Sequence, residues 1–285
     1  MLSIPLGPFA LPLAPVLLLV SVWMAAWTAA RLCGRAAAAT ADDGVASSPF
    51  PAAAASDAIF HAALLGLLAA RLAHLALNAD LYAATPLSAF DLRDGGWHGP
   101  SGALAGAAWL AWRAWRAPLL RLPLAAGAAL GVALWFAATL AAGTRDAAPL
   151  PPIVLSDLAD GSDVPLPAAA RGRPVVVNLW ASWCGPCRQE MPLLAQAQQA
   201  WPGVGFLFVN QGESAEAIRR YLSAEKLELR HVLLDRGSQL GPAVGSRGLP
   251  TTLFYDASGR RVGAHFGVLN AAALEGRLRA LRGAR

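Results

Sequence analysis

Two cysteines three residues apart raise the first chemical question. Cys184-Gly185-Pro186-Cys187 follows an apolar run, Val175 to Val177 with Leu179, and precedes a stretch from Arg188 to Trp201. In that stretch Met191, Leu194 and Ala195 recur at helical spacing. The run predicts a buried strand and the stretch a helix, so the cysteines fall at a strand-to-helix junction, the context in which Cys-x-x-Cys performs redox chemistry. A sulfur at a helix N-terminus faces free backbone N–H groups and the positive end of the helix dipole, both of which favour the thiolate. A lowered pKa makes Cys184 the attacking sulfur. Cys187 lies one turn further on the same face, where it can attack Cys184 and resolve a mixed disulfide. Gly185 and Pro186 suit a tight helix entry, and Pro192 inside the helix is expected to kink it.

Two other uses of a cysteine pair fit less well. A structural zinc site takes four ligands, usually a second Cys or His pair. The C-terminal half has no second Cys-x-x-Cys, and His231 and His265 stand alone. The third cysteine, Cys33, is remote, and three cysteines do not make a disulfide framework. As a lone thiol, Cys33 supplies only half of the dithiol that a relay of electrons to Cys184 would need.

The elements that must position the pair are readable around it. Strands are expected at residues 204–210 and 231–235 with a helix at 214–224 between them. Leu253, Phe254 and Tyr255 read as a further strand. Asp256-Ala257-Ser258-Gly259 reads as a hairpin turn into a strand from Arg261 to Phe266, and residues 271–283 as a closing helix.

The run Trp180-Ala-Ser-Trp-Cys-Gly-Pro-Cys187 resembles thioredoxin and, more closely, the TlpA/ResA-like periplasmic disulfide reductases. The resemblance covers about residues 150–285, including a strand and helix between the cysteine helix and Pro250 that resemble the family's central insertion. It implies an α/β thioredoxin-like domain, a central mixed sheet flanked by helices. Gly248-Leu249-Pro250-Thr251-Thr252 resembles the family's cis-proline loop, which implies a cis Pro250 with backbone offered to a substrate peptide; spacing alone would not, since only about 5–6% of X-Pro bonds are cis. Trp183 is expected to pack beside the cysteines and help contact substrate, and Trp180 to pack in the core. Where thioredoxin has a buried Asp, this chain has Asn178, which cannot act as a base. Val209-Asn210-Gln211-Gly212-Glu213-Ser214 resembles the stretch in which ResA-like proteins carry an active-site Glu, which makes Glu213 the candidate for modulating Cys187; equally, Glu213 could simply precede a helix capped by Ser214. The resemblance implies no cofactor beyond the Cys184–Cys187 disulfide. It implies protein thiols and disulfides as substrates, cytochrome c maturation among the processes served, and a DsbD/CcdA-like membrane electron donor.

The N-terminal half is chemically different. Hydrophobic residues make up 56% of the chain and charged ones 14%, against about 25% charged in ordinary soluble domains. That deficit points to a membrane region over residues 1–143, with about four helical spans near 9–30, 57–77, 99–115 and 123–143. A linker at 144–152, rich in proline, then leads to the redox domain at 153–285. No Lys or Arg precedes residue 31, so the first run reads as a retained span rather than a cleaved signal. Arg31 and Arg35 follow the first run, and Arg113, Arg116 and Arg121 separate the third from the fourth, whereas Asp80, Asp91 and Asp94 lie between the second and third with only Arg93. With the arginines inside, both termini face outward and the redox domain lies in the periplasm of an inner-membrane protein. The net charge of +5 comes without the basic, aromatic-interleaved surface that nucleic acid requires, so the lipid bilayer is the expected partner of the positive charge.

Residues 70–106 hold a second, weaker resemblance. Ala70-Arg71-Leu72-Ala73-His74, Pro86-Leu87, Phe90 and Asp94-Gly95-Gly96-Trp97-His98-Gly99 look like the amino-terminal part of prolipoprotein diacylglyceryl transferase, with His98 matching that family's loop histidine. The later half of that family is absent, so an anchor derived from it is implied rather than a transferase. Arg71, inside an apolar run, is a functional candidate by position. The expected activity is therefore thiol–disulfide oxidoreduction. The alternatives are a thiol-dependent polypeptide-binding module, or a lipid-modifying membrane enzyme with an accessory redox domain.

Overall fold

The computed structural model describes residues 3–6, 9–42, 52–83, 86–92, 95–146, 148–170, 172–246 and 248–283. Arg93 and Asp94 of the outer loop lie outside them. The chain forms two compact units. One comprises Ala14–Asp80 with Gly96–Ala141, and the other Met1–Leu13, Leu81–Gly95 and Ala142–Arg285.

Two short strands, β1 (Ser3–Leu6) and β2 (Phe9–Pro12), pair antiparallel at the N-terminus. The first apolar run therefore turns helical only at Leu13. Pro12 disfavours helical backbone just before it, whereas Pro15 is tolerated in the first turn of the helix that follows. That helix is α1 (Leu13–Asp42), followed by α2 (Ala52–Leu77) and a single turn, α3 (Ala79–Tyr82). Then come α4 (Gly99–Arg116) and α5 (Arg121–Asp146). Among the described residues, three segments are long and apolar enough to cross a membrane: Ala14–Arg35, Ala52–Leu77 and Pro118–Ala141. The expected third span forms a helix but is not among them. α4 has 18 residues, and Trp109, Trp112, Trp115, Arg113 and Arg116 dilute its apolar character.

Glycine and alanine let these helices approach closely, as membrane helices do. A Cβ on Gly102 would lie 2.8 Å from the Gly66 carbonyl oxygen, and one on Gly127 would lie 2.5 Å from that of Ala25. Ala25, Ala29, Ala55, Ala58, Leu120 and Leu124 belong to the buried core of this unit. His98 caps α4, its Nδ1 accepting the Ser101 N–H at 3.4 Å. Arg71 is buried; its Nη1 donates to the Gly96 carbonyl at 2.9 Å, and its guanidinium lies 5.9 Å from the Trp97 ring.

The second unit is built on a seven-stranded mixed sheet. Its elements are β3 (Val154–Asp157), β4 (Asp163–Pro165), α6 (Leu166–Ala169), β5 (Val175–Trp180) and α7 (Gly185–Ala200). They continue with β6 (Gly205–Gln211), α8 (Ala215–Ala224), β7 (Val232–Asp235) and α9 (Leu240–Ala243). β8 (Thr251–Tyr255), β9 (Arg261–Phe266) and α10 (Ala271–Gly283) close the chain. The strand order is β4-β3-β7-β6-β5-β8-β9, with β5, β6 and β7 parallel to one another and β8 antiparallel to β5. This is a thioredoxin-like fold. Central strands covered on both faces read as continuous apolar runs rather than alternating ones, and all six residues of β5 are buried. Val175, Val177 and Leu179 join Leu207, Val209 and Leu253 on one face. Val176 and Trp180 join Met191, Leu194, Phe208, Phe254 and Leu278 on the other, which is the face that carries the cysteines.

The stretch expected to be a linker, 144–152, divides differently. α5 runs through Asp146, and from Ala148 onward the chain already belongs to the sheet unit. Pro149 bridges to Arg260, and Leu150 is 4% exposed with its N–H donating to the Gly259 carbonyl. Proline removes donors but does not prevent an adjacent leucine from burying its side chain, and burial offsets the cost of ordering the segment.

Candidate active site

β5 ends at Trp180, and the chain turns through Ala181, Ser182 and Trp183 into α7. Cys184 is the N-cap of α7, with extended backbone. Its sulfur accepts the N–H of Cys187 at 3.2 Å, using one of the donors that the first helical turn leaves free. Cys184 and Cys187 form a disulfide, with Cα atoms 5.2 Å apart. Cys184 is 6% exposed and Cys187 is fully buried, so the outer sulfur is the one that a partner can reach. Gly185 has nothing within 4 Å of a Cβ position, and Pro186 sits in the first turn, where its missing N–H costs nothing. α7 continues past Pro192 to Ala200. Trp180 is fully buried and stacks at a tilt on Tyr221, whereas Trp183 is 71% exposed and presents its indole to solvent beside Cys184.

The Leu249–Pro250 peptide bond is cis. The loop is held from both sides. Thr251 Oγ1 donates to the Gly248 carbonyl at 2.8 Å and meets the Ser246 hydroxyl at 2.6 Å, and the Gly267 N–H donates to the Pro250 carbonyl at 3.0 Å. Leu249 packs against the buried cluster that contains Cys184 and Cys187, and Thr251 pairs with Leu179 of β5. The cysteine turn and the proline loop thus stand on neighbouring strands.

Glu213 lies just beyond the end of β6. Its carboxylate accepts the Ser182 N–H at 2.7 Å, the Asn210 Nδ2–H at 2.6 Å and the Ser182 hydroxyl. Ser214 caps α8 by accepting the Ala217 N–H. The carboxylate therefore fastens the turn that delivers Cys184 to the end of β6.

Sequence reasoning missed another carboxylate. Glu190 lies one helical turn past Cys187 on the same face of α7 and is 1% exposed. Its Oε1 accepts Asn178 Nδ2–H at 2.8 Å, and its Oε2 accepts the Leu269 N–H at 2.8 Å. Asn178 Nδ2 also reaches Thr252 Oγ1 at 3.0 Å, while the buried Asn178 Oδ1 has no partner. Burial pushes the Glu190 carboxyl up to about 7, against the lowering effect of the bonds from Leu269 and Asn178. An acid with that pKa is matched to proton transfer at neutral pH. The available signal was the spacing Cys187-x-x-Glu190, which puts the two side chains on one face.

Comparison with known proteins agrees with this geometry. The family model described as Redoxin matches residues 145–280. The C-terminal half carries a Redoxin domain. Thiol-disulfide oxidoreductase ResA of Geobacillus thermodenitrificans is 36% identical over 113 residues, 39% of this chain and 63% of that protein. Thiol:disulfide interchange protein DsbE of Pseudomonas fluorescens biotype C is 34% identical over 92 residues, 32% of this chain and 51% of its own length. The chain thus spans less than two thirds of the length of these relatives. Among solved structures, a thiol:disulfide interchange protein of the thioredoxin family from Chlorobium tepidum is 25% identical. It covers 47% of this chain and 94% of its own, with a TM-score of 0.40. Within the Redoxin domain the fold gathers Cys184, Cys187 and Glu190 onto α7, and places the loop of Leu249, Pro250 and Thr251 on the strand beside β5.

Proposed function

We propose that this chain is a membrane-anchored thiol–disulfide oxidoreductase that reduces protein disulfides outside the cytoplasmic membrane. The observation that carries the reading is the cysteine pair itself: an outer sulfur held at a helix N-terminus and already bonded to a buried sulfur one turn below it.

In the reduced protein the helix end that now faces the Cys184 sulfur stabilises its thiolate. That thiolate attacks one sulfur of a substrate disulfide; a mixed disulfide forms and the substrate's other sulfur leaves as thiolate. Cys187 then gives up its proton, for which the Glu190 carboxylate one turn away is the acceptor, and attacks Cys184. The Cys184–Cys187 disulfide forms, and the second substrate sulfur leaves. Two electrons pass to the substrate, which takes up two protons, one of them returned by Glu190. The unpartnered Asn178 Oδ1 suits this cycle: a turn of the amide lets it accept the O–H of protonated Glu190. Glu213 holds the Ser182 turn in place, Trp183 offers an aromatic surface to the substrate, and the Leu249-Pro250-Thr251 backbone docks the peptide strand-like. The donor that reduces the pair again is a membrane dithiol protein of the DsbD/CcdA kind, and apocytochrome c cysteines are among the substrates that suit the site.

The anchor is read as four membrane helices. α4 joins the three apolar spans through its glycine-to-glycine seam with α2, which covers its polar backbone with a neighbouring helix. Arg31, Arg35, Arg113, Arg116 and Arg121 then share the inner side, and the Redoxin domain faces outward. His98 serves this anchor as a helix cap.

The test is a trap. In cells producing Cys187→Ala, the substrate should remain attached to Cys184 as a mixed disulfide that dithiothreitol releases, and Cys184→Ala should yield no adduct. Failure of Cys187→Ala to retain any protein by a reducible bond would overturn the two-step scheme.

A further inference from the structure

At one end of the helical unit lies a cavity of about 460 Å³ whose described lining is Trp27, Ala30, Arg31, Gly34 and Arg35 of α1 and Ala52 of α2. Its two charged residues are both cationic. Arg31 and Arg35 are four apart on one helix, so their side chains occupy one face, and like charges at that spacing repel. α1 carries no acidic residue before Asp42. The Arg31 guanidinium lies 4.9 Å over the Trp27 ring, which fixes its plane while leaving its N–H edge available.

Gly34 gives the second observation. Gly66, Gly102, Gly106, Gly127 and Gly131 each have an atom of a neighbouring helix within 3.2 Å of a Cβ position, so helix packing accounts for them. Gly34 has nothing within 4 Å among the described residues. Its missing side chain serves no helix contact; it leaves the cavity open between the two arginines. An apolar wall with an aromatic ring, two arginines in the lining and an open position at Gly34 is the chemistry of a site for a phosphate carried on a lipid.

We infer that this cavity binds the phosphate of an anionic phospholipid, with Arg31 and Arg35 on the phosphate and Trp27 against the glycerol and upper acyl region. The position suits that ligand, because Arg35 closes the apolar segment Ala14–Arg35 that is long enough to span a bilayer. The inference concerns the anchor and is independent of the redox chemistry.

The experiment uses the full chain purified in a zwitterionic detergent and incubated with equimolar dioleoyl-phosphatidylglycerol and dioleoyl-phosphatidylcholine. Bound lipid is counted by native mass spectrometry. The wild type should retain phosphatidylglycerol in preference to phosphatidylcholine, and Arg31→Gln/Arg35→Gln should lower that preference about tenfold or more, from roughly 1 kcal/mol per basic residue at a membrane surface. Gly34→Phe keeps both charges and fills the cavity, and it should lower retention comparably. Its far-UV circular dichroism should match wild type, since a Cβ there meets nothing within 4 Å among the described residues. Equal phosphatidylglycerol preference in wild type and either variant would overturn the site. So would displacement of the lipid by millimolar inorganic phosphate, which would make free phosphate the ligand.

Discussion

Replacing Glu190 with glutamine isolates the buried carboxyl from everything else in the active site. The side chain keeps its shape, and the polar contacts can be kept. The oxygen of the introduced amide accepts the Leu269 N–H, and its nitrogen donates to the unpartnered Asn178 Oδ1 after the Asn178 amide turns. What disappears is the titration. Burial favours the protonated form of Glu190, so the wild-type fold holds its full contribution below the ordinary value of 4.5. It loses that contribution as the pH rises through about 7. The interval between those two values, at 1.36 kcal/mol per pH unit, amounts to about 3 kcal/mol by pH 8. The assay is hydrogen exchange with mass spectrometry on the oxidised full chain in detergent, following the amides of β5 and β6, which pair along the centre of the sheet. After correction for intrinsic exchange, wild-type opening should become easier by about 2.5 kcal/mol between pH 5 and 8, the remainder of the loss falling below pH 5, and Glu190→Gln should stay level. A wild-type profile flat across that range, or a variant that falls in parallel with it, would refute the assignment of a raised pKa to Glu190. In disulfide reduction the same variant should slow release of the mixed disulfide about a hundredfold, the low end of what a positioned base contributes.

Further outcomes follow from the same geometry. In the reduced protein, the rate of Cys184 alkylation by iodoacetamide should reach half its maximum well below the ordinary thiol value of about 8.5; a midpoint near 8.5 would remove the helix-end argument. Glu213→Gln leaves one acceptor oxygen for three donors, so protection of the Ser182–Cys184 amides should drop by about 1–2 kcal/mol while the alkylation midpoint of Cys184 stays put. A shift of that midpoint by a full pH unit would instead make Glu213 part of the electrostatics of the pair. In the anchor, Gly102→Val puts side-chain atoms against the Gly66 carbonyl, where even a Cβ would come to 2.8 Å. α2 and α4 should separate, which loss of a disulfide engineered between them would report; a retained crosslink would show that the seam yields without cost.

The position of the cysteine pair was legible because it is local. A strand, two cysteines three apart and a helical repeat occupy consecutive residues, and the free N–H groups of a helix start belong to any helix that begins there. Trp180, with its apolar neighbours, read correctly as core for the same reason. The long apolar helices were likewise written in composition, whereas the arginines and tryptophans of α4 leave it outside the three described segments that are apolar enough to cross a membrane. The burial of Leu150 was not legible, because prolines describe a backbone, whereas that burial depends on the hairpin around Gly259, over a hundred residues away.

Glu190 shows the boundary most clearly. In the sequence it is one polar residue in an amphipathic helix, and only its spacing of three from Cys187 distinguishes it from the exposed Gln189. Its pKa is raised by burial, which comes about when α7 and α10 pack on the same face of the sheet, and the bonds from the Leu269 N–H, 79 residues further on, and from Asn178 on β5 only partly offset it. The sequence by itself determined where the paired sulfurs sit, at a helix start and one turn apart, since that rests on bonds within one turn of helix. Only the tertiary structure decided which acid near them is buried with a raised pKa, since desolvation is a property of the whole surround rather than of any neighbour along the chain.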